Sequence, residues 1–134
     1  DFILETDTSS YDSFYTSDYM ISDWSGVSLE YAFALDRPVI FVDVPKKINN
    51  PDFEDICCEP IEISIRTEIG DVISPNQLDE LPKKINSLLK NLEKFRKRIH
   101  EVRLKTVFNI GRSRIIGAKH IVKIADECKA INKL

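Results

Sequence analysis

Asp23-Trp24-Ser25-Gly26-Val27-Ser28, with Glu30 close behind, is the stretch of this chain whose residue types and spacing could do chemistry. Small residues where a strand turns into a helix leave backbone N–H groups unpaired and set the positive end of the helix beside them. Together these make an anion site. The N–H groups near Ser25–Val27 and the Ser25 hydroxyl are therefore assigned to a pyrophosphate. Gly26 would let the ligand approach the backbone closely, and Ser28 adds a hydroxyl in the first turn. Ser25 also suits a plain helix cap, which contributes about 1 kcal/mol. Glu30 lies within one helical turn and could accept hydrogen bonds from a ribose, although an exposed helical carboxylate is its commoner fate. Asp23 either caps the helix or touches the ligand, and Trp24 either stacks on a base or packs at the strand end. Asp23, Ser25, Gly26, Val27, Ser28 and Glu30 are thus the candidate set for half of a nucleotide-diphosphate site.

These residues need elements to hold them. Tyr19–Ser22 reads as a short strand running into the turn, and the helix after it reaches about Leu35, stopped by Asp36-Arg37-Pro38. Val39–Val42 is a continuous apolar run, as in a strand buried on both faces of a parallel sheet. Phe2-Ile3-Leu4 reads as another short buried strand. Thr6 to Ser10 supplies residues suited to capping a helix over about residues 10–17. Pro45 to Asp55 is a polar loop. Ile61–Ile65 alternates apolar and polar, predicting a strand with one face covered, and Gly70–Pro75 is a turn with one more short extended piece. Strands alternating with helices predict an α/β fold with a parallel sheet, whose ligands sit at the carboxyl ends of the strands.

The second half differs. Leu78, Leu81, Ile85, Leu88, Leu92, Phe95, Ile99 and Val102 keep a 3,4 spacing without a break, predicting one long helix with a narrow apolar seam and Pro82 in its first turn. Gly111 separates it from a second helix carrying Ile115, Ile121, Ile124, Cys128 and Ile131. A long-helix hairpin closing the domain is the favoured arrangement; a seam that joins two chains or docks on a further domain is the other. Charge divides the same way. Residues 1–75 hold 4 basic and 16 acidic side chains, and residues 76–134 hold 15 basic and 6 acidic. The basic part suits an anionic polymer or membrane surface as well as plain solvation. No nucleic-acid motif accompanies it. With so few cations in the first part, those that balance a diphosphate are expected from elsewhere in a larger protein.

Several classes are excluded. The chain has 134 residues, enough for one domain with a core, and no apolar run approaches the roughly 20 residues of a membrane span. Cys57, Cys58 and Cys128 are odd in number, two of them adjacent, which points away from a disulfide framework and to a reducing compartment. No zinc spacing, GxGxxG or GxxxxGK[ST] occurs, so no metal or other cofactor is expected. His100 and His120 have no companions that would make a triad or a metal site. The chain starts at Asp1 in mid-pattern, as a piece of a longer protein would, and an unpaired sheet edge or the helical seam could then join two copies into a dimer.

Ser17-Asp18-Tyr19-Met20-Ile21-Ser22-Asp23-Trp24-Ser25-Gly26-Val27-Ser28-Leu29-Glu30-Tyr31, followed by Asp36-Arg37-Pro38-Val39-Ile40-Phe41, resembles the C-terminal half of the CDP-glycerol glycerophosphotransferase family of teichoic acid and capsule synthesis. The likeness covers about residues 17–43, with a weaker echo in Val107–Ser113 and Gly117-Ala118. It implies the donor-binding half of a GT-B fold: a Rossmann-like core over residues 1–75 and a basic helical segment over residues 76–134 packing on the same domain. It further implies transfer of glycerol phosphate from CDP-glycerol to a wall or capsule polymer, in the cytoplasm at the inner membrane face. The family's catalytic histidines have no counterpart before His100, so no catalytic residue is assigned and the isolated piece is expected to be inactive. Gly26 stands where the family commonly carries a second Ser, which leans toward the wider GT-B pattern. A GT-B glycosyltransferase using a nucleotide-sugar, or a non-catalytic module binding an anionic membrane or partner, are the alternatives.

Overall fold

The computed structural model describes residues 2–6, 11–46, 48, 50–56 and 58–131. The chain falls into two compact units, Asp1–Val102 and Arg103–Leu134. Composition draws the line after residue 75, whereas packing draws it after Val102.

The first unit carries three parallel strands in the order β1 (Met20–Ser22), β2 (Val39–Val42), β3 (Gly70–Ile73). Helix α1 (Asp12–Thr16) precedes β1, and α2 (Val27–Leu35) links β1 to β2. Two short helices, α3 (Ile61–Ser64) and α4 (Arg66–Ile69), lead into β3; α5 (Leu81–Lys90) and α6 (Leu92–Thr106) follow it. The architecture is the expected α/β one, a small parallel sheet flanked by helices.

Alternation along β2 sorts the core into two layers. Val39 and Phe41 face Tyr31 and Ala32 of α2, Ile65 and Ile69 of the α3–α4 segment, and Ile99 and Val102 of α6. Ile40 joins Ile73 and Leu88 on the other side, with Leu81, Ile85 and Leu92 packed around them. A strand covered on both faces has no polar side to show, which is why Val39–Val42 is uniformly apolar. Asp71, beside Ile40 in the register, holds its carboxylate 3.0 Å from the Lys84 ammonium. Gly70 is required at its position: a Cβ there would lie 1.7 Å from the Val39 carbonyl oxygen.

Five expectations change. Ile61–Ile65 is helical, not a strand; after Pro60, Ile61, Ile65 and Ile69 recur every fourth residue, and the last two are buried. A five-residue alternation also fits that helical spacing, and burial decides between the two periods. The strand that pairs with β2 is instead the short extended piece after it. Phe2-Ile3-Leu4 forms no strand: no described strand pairs with it, and these side chains are 89%, 86% and 72% exposed. The long seam is cut at Asn91, whose side-chain amide donates to the Ser87 carbonyl at 2.7 Å and ends α5. Leu78 sits outside it, exposed in a 3-10 stretch (Pro75–Glu80). From Leu81 to Val102 the seam packs on this chain's own sheet. Finally, Ser25 does not cap α2: the N-cap is Gly26, with no side-chain cap bond. The capping residues proposed for α1 fall mostly within 7–10, which lie outside the described residues, as does Cys57; Cys58 and Cys128 are free and exposed.

The second unit contains the end of α6, a turn with positive φ at Asn109 and Gly111 (57° and 74°), and α7 (Ser113–Ile131). No helix among the described residues is long and apolar enough to cross a membrane.

Candidate functional site

Parallel strands send all their outgoing loops to one end of the sheet, so Asp23–Gly26 after β1 and Asp43–Lys46 after β2 lie side by side. Two contacts tie them together. The Trp24 indole N–H donates to the Val44 carbonyl at 2.7 Å. The Lys46 ammonium stands 5.1 Å from the centre of the Trp24 ring.

The turn itself is built by side chains bonding to nearby backbone. Asp23 Oδ1 accepts the Ser25 N–H at 3.0 Å. The Ser28 hydroxyl, 2% exposed, donates to the Ser25 carbonyl at 2.7 Å. Ser28 and Leu29 bond back to Ser25 and Gly26 through their N–H groups, which closes the first turn of α2. The N–H groups of Gly26 and Val27 have no partner among the described residues. These are the orphan donors expected of a helix start, and they carry the positive end of a nine-residue helix.

The sequence-derived set therefore divides. Gly26 and Val27 offer free N–H groups. Ser25 is exposed at the turn, but its own N–H is taken by Asp23. Asp23 is the turn's organiser, and Ser28 is a buried brace whose proton points to backbone. Gly26 has φ −60° and ψ −25°, and a Cβ on it would meet nothing within 4 Å, so the protein's own packing does not demand glycine here. Glu30 is exposed and lines a groove of about 230 Å³ with Tyr11, Phe14, Tyr15, Ala34 and Leu35, against α1. Trp24 packs at the strand end and stacks under a cation. His100 and His120 are exposed on α6 and α7.

That cation is Arg66, which the sequence reading missed. It is 5% exposed, with its guanidinium carbon 3.8 Å from the Trp24 ring centre and 5.1 Å from that of Phe41. Its Nη1 donates to Asp43 Oδ1 at 2.8 Å, while Nε and Nη2 are buried without a hydrogen-bond partner. The cations beside the turn thus belong to this chain. Reading Ile61–Ile65 as a strand hid Arg66; the fourfold spacing Ile61, Ile65, Ile69 after Pro60 was the signal that places it on a helix next to the sheet.

The loop toward α3 borders a cleft of about 520 Å³ lined by Lys46, Ile48, Phe53, Ile56, Cys58, Glu59, Pro60 and Ile63. Its walls are mostly apolar and Lys46 is matched there by Glu59, so the larger volume is a poorer place for an anion than the turn. No cluster of three His, Cys, Asp or Glu that could hold a metal occurs among the described residues. Compared with protein-family models, curated proteins and solved structures, the chain matches none.

Proposed function

We propose that the first unit holds the diphosphate of a nucleotide-linked donor, as the donor-binding part of a transferase that moves glycerol phosphate from CDP-glycerol to a wall or capsule polymer. The observation that carries this reading is the pair of N–H groups, Gly26 and Val27, that have no partner among the described residues at the start of α2 on the carboxyl edge of a parallel sheet. Such N–H groups donate to phosphate oxygens without a metal. The cytidine and the glycerol rest on the resemblance of residues 17–43.

In the reaction, an acceptor hydroxyl oxygen bonds to the donor's β-phosphorus. The bond from that phosphorus to the bridging oxygen breaks, CMP leaves, and the hydroxyl proton passes to a base. Negative charge grows on the leaving phosphate. Fixed N–H groups and a helix start aimed there stabilise it without reorganising, the usual source of a large share of rate enhancement. The base and the acceptor site are assigned to no residue of this chain.

Calorimetric titration with CDP, CDP-glycerol and UDP-sugars tests the reading. Binding of the CDP compounds at least tenfold tighter than UDP-sugars is the expected result. The reverse order favours a GT-B glycosyltransferase, and absence of nucleotide binding overturns both. Gly26→Pro removes one of the two free N–H groups at a φ that proline already adopts. It should weaken CDP binding about tenfold or more, the worth of one hydrogen bond to a charged group.

A second reading concerns Arg103–Leu134. Ile121 and Ile124 are 69% and 58% exposed on a helix that also carries Lys119, Lys123 and Lys129. That combination suits peripheral binding to an anionic membrane at the inner face of the cell. Co-sedimentation with anionic but not zwitterionic vesicles, lost at high salt, is the expected outcome.

A further inference from the structure

We propose that Arg66 is a phosphate-binding cation of the donor site, held in the empty protein by Asp43, and that the ligand's phosphate takes Asp43's place. The inference rests on the diphosphate site proposed above and assigns it a residue and a switch.

A guanidinium carries five N–H donors and no acceptor. Arg66 uses one nitrogen on Asp43 and leaves Nε and Nη2 buried and unpaired. A nearly fully buried charge with a single hydrogen bond leaves most of its desolvation penalty uncompensated. Native proteins rarely keep such a group unless something else completes it.

The surroundings say what would complete it. Two rings lie against the guanidinium, Trp24 at 3.8 Å and Phe41 at 5.1 Å from the guanidinium carbon. Stacking on Trp24 holds the plane of the fork. Nε and Nη2 are buried, so an anion reaches it from the Nη1 side that Asp43 occupies, where arginine can grip a phosphate through parallel bonds. That side lies between the loops after β1 and β2, because Trp24 belongs to one and Asp43 to the other. Gly26 and Val27, with their free N–H groups, follow Trp24 by two and three residues. Lys46 adds a second positive charge 5.1 Å from the centre of the Trp24 ring. Phosphate, with several oxygens and more than one charge, matches this collection better than a lone carboxylate.

Asp43 is built to yield. Its side chain is 52% exposed, against 6% for Arg66. Its backbone is fixed independently, the Asp43 N–H donating to the Ile73 carbonyl at 2.8 Å. The carboxylate can therefore rotate into water without moving β2, and its departure opens the Nη1 side of the fork.

Titration of the full chain with inorganic phosphate, pyrophosphate and CDP tests this, read by calorimetry and by emission of Trp24, the single tryptophan. Pyrophosphate and CDP should both shift Trp24 emission. Arg66→Met keeps an apolar stem on Trp24 and should lower pyrophosphate affinity at least tenfold, with Arg66→Lys in between. Asp43→Asn removes the competitor and should raise affinity several-fold, whereas a purely structural Arg66–Asp43 pair predicts no gain. Unchanged affinity in a folded Arg66→Met overturns the proposal. So does weaker binding in Asp43→Asn, which remains decisive if Arg66→Met does not fold. Calorimetric binding with unmoved Trp24 emission overturns it while leaving the nucleotide reading intact. Wild-type protein that binds none of the three anions removes both.

Discussion

The two units of this chain make opposite use of their aliphatic residues, and the second is the richer in them, with 13 Ala, Val, Ile and Leu among 32 residues against 28 among 102. Every buried hydrophobic side chain among the described residues lies at or before Val102, while from Arg103 onward none is buried. In the first unit Ile40, Ile69 and Ile99 have no exposed surface; in the second, Ile115, Ile121 and Ile124 are 54%, 69% and 58% exposed. The difference lies in the sheet. Three strands present two faces, and each helix that crosses them finds a surface prepared for it. A helix such as α7 has a stripe but, among the described residues, no second layer of its own, so Ile115, Ile121 and Ile124 stay in water. The charge divides along the same boundary, with 11 basic and 20 acidic side chains up to residue 102 and 8 basic and 2 acidic beyond it. One unit can thus stabilise a site; the other offers a surface.

The largest effect that would sharpen this contrast is expected at Gly70. Gly70→Ala puts a methyl 1.7 Å from the Val39 carbonyl and must push β2 and β3 apart. A loss of about 3 kcal/mol or more in chemical denaturation is expected, and a near-neutral result would mean the two strands are not paired as described. Next in size is a matched pair. Ile99→Ala should cost about 2–4 kcal/mol, while Ile121→Ala should cost under about 0.5 kcal/mol. Equal effects would break the comparison outright. Hydrogen exchange gives the same contrast without mutation, because amides of β2 should outlast those of α7 by orders of magnitude. The smallest effect is expected at Asn109, which holds φ 57° in the turn before α7. Asn109→Gly relieves that angle and should leave stability within about 0.5 kcal/mol of the parent, with the sign set by relief of strain against the added freedom of the unfolded chain.

Much of the sheet was legible because its signals are local. The apolar run Val39–Val42, the stop at Asp36-Arg37-Pro38 and the small residues after Ser22 each act within a few residues of where they stand. Helix α2 and strands β1 and β2 follow from them with only small shifts at the ends. The errors share a cause. Ile61–Ile65 and Phe2–Leu4 both have strand-like composition, but a strand exists only when a neighbour supplies its hydrogen bonds, and five residues cannot say whether one does. The seam from Leu81 to Val102 was legible as a seam; that Asn91 would divide it, and that the sheet would be its partner, was not.

The candidate site divides in the same way. The turn Asp23–Gly26 and its free N–H groups follow from residue type and the order strand, turn, helix. Ser28 was assigned to ligand because a hydroxyl in a first turn looks available; in the fold it is tied to the Ser25 carbonyl. Arg66 carried no local signal of chemistry at all.

From the sequence alone came a parallel α/β unit, the turn that exposes backbone donors, and the change of character in the second half, since periodicity, turn chemistry and charge operate over short stretches of chain. Only the tertiary structure brought a cation from residue 66 over Trp24 and beside Asp43. Those three residues lie on separate loops and helices, and no spacing along the chain encodes which of them will meet when the strands align.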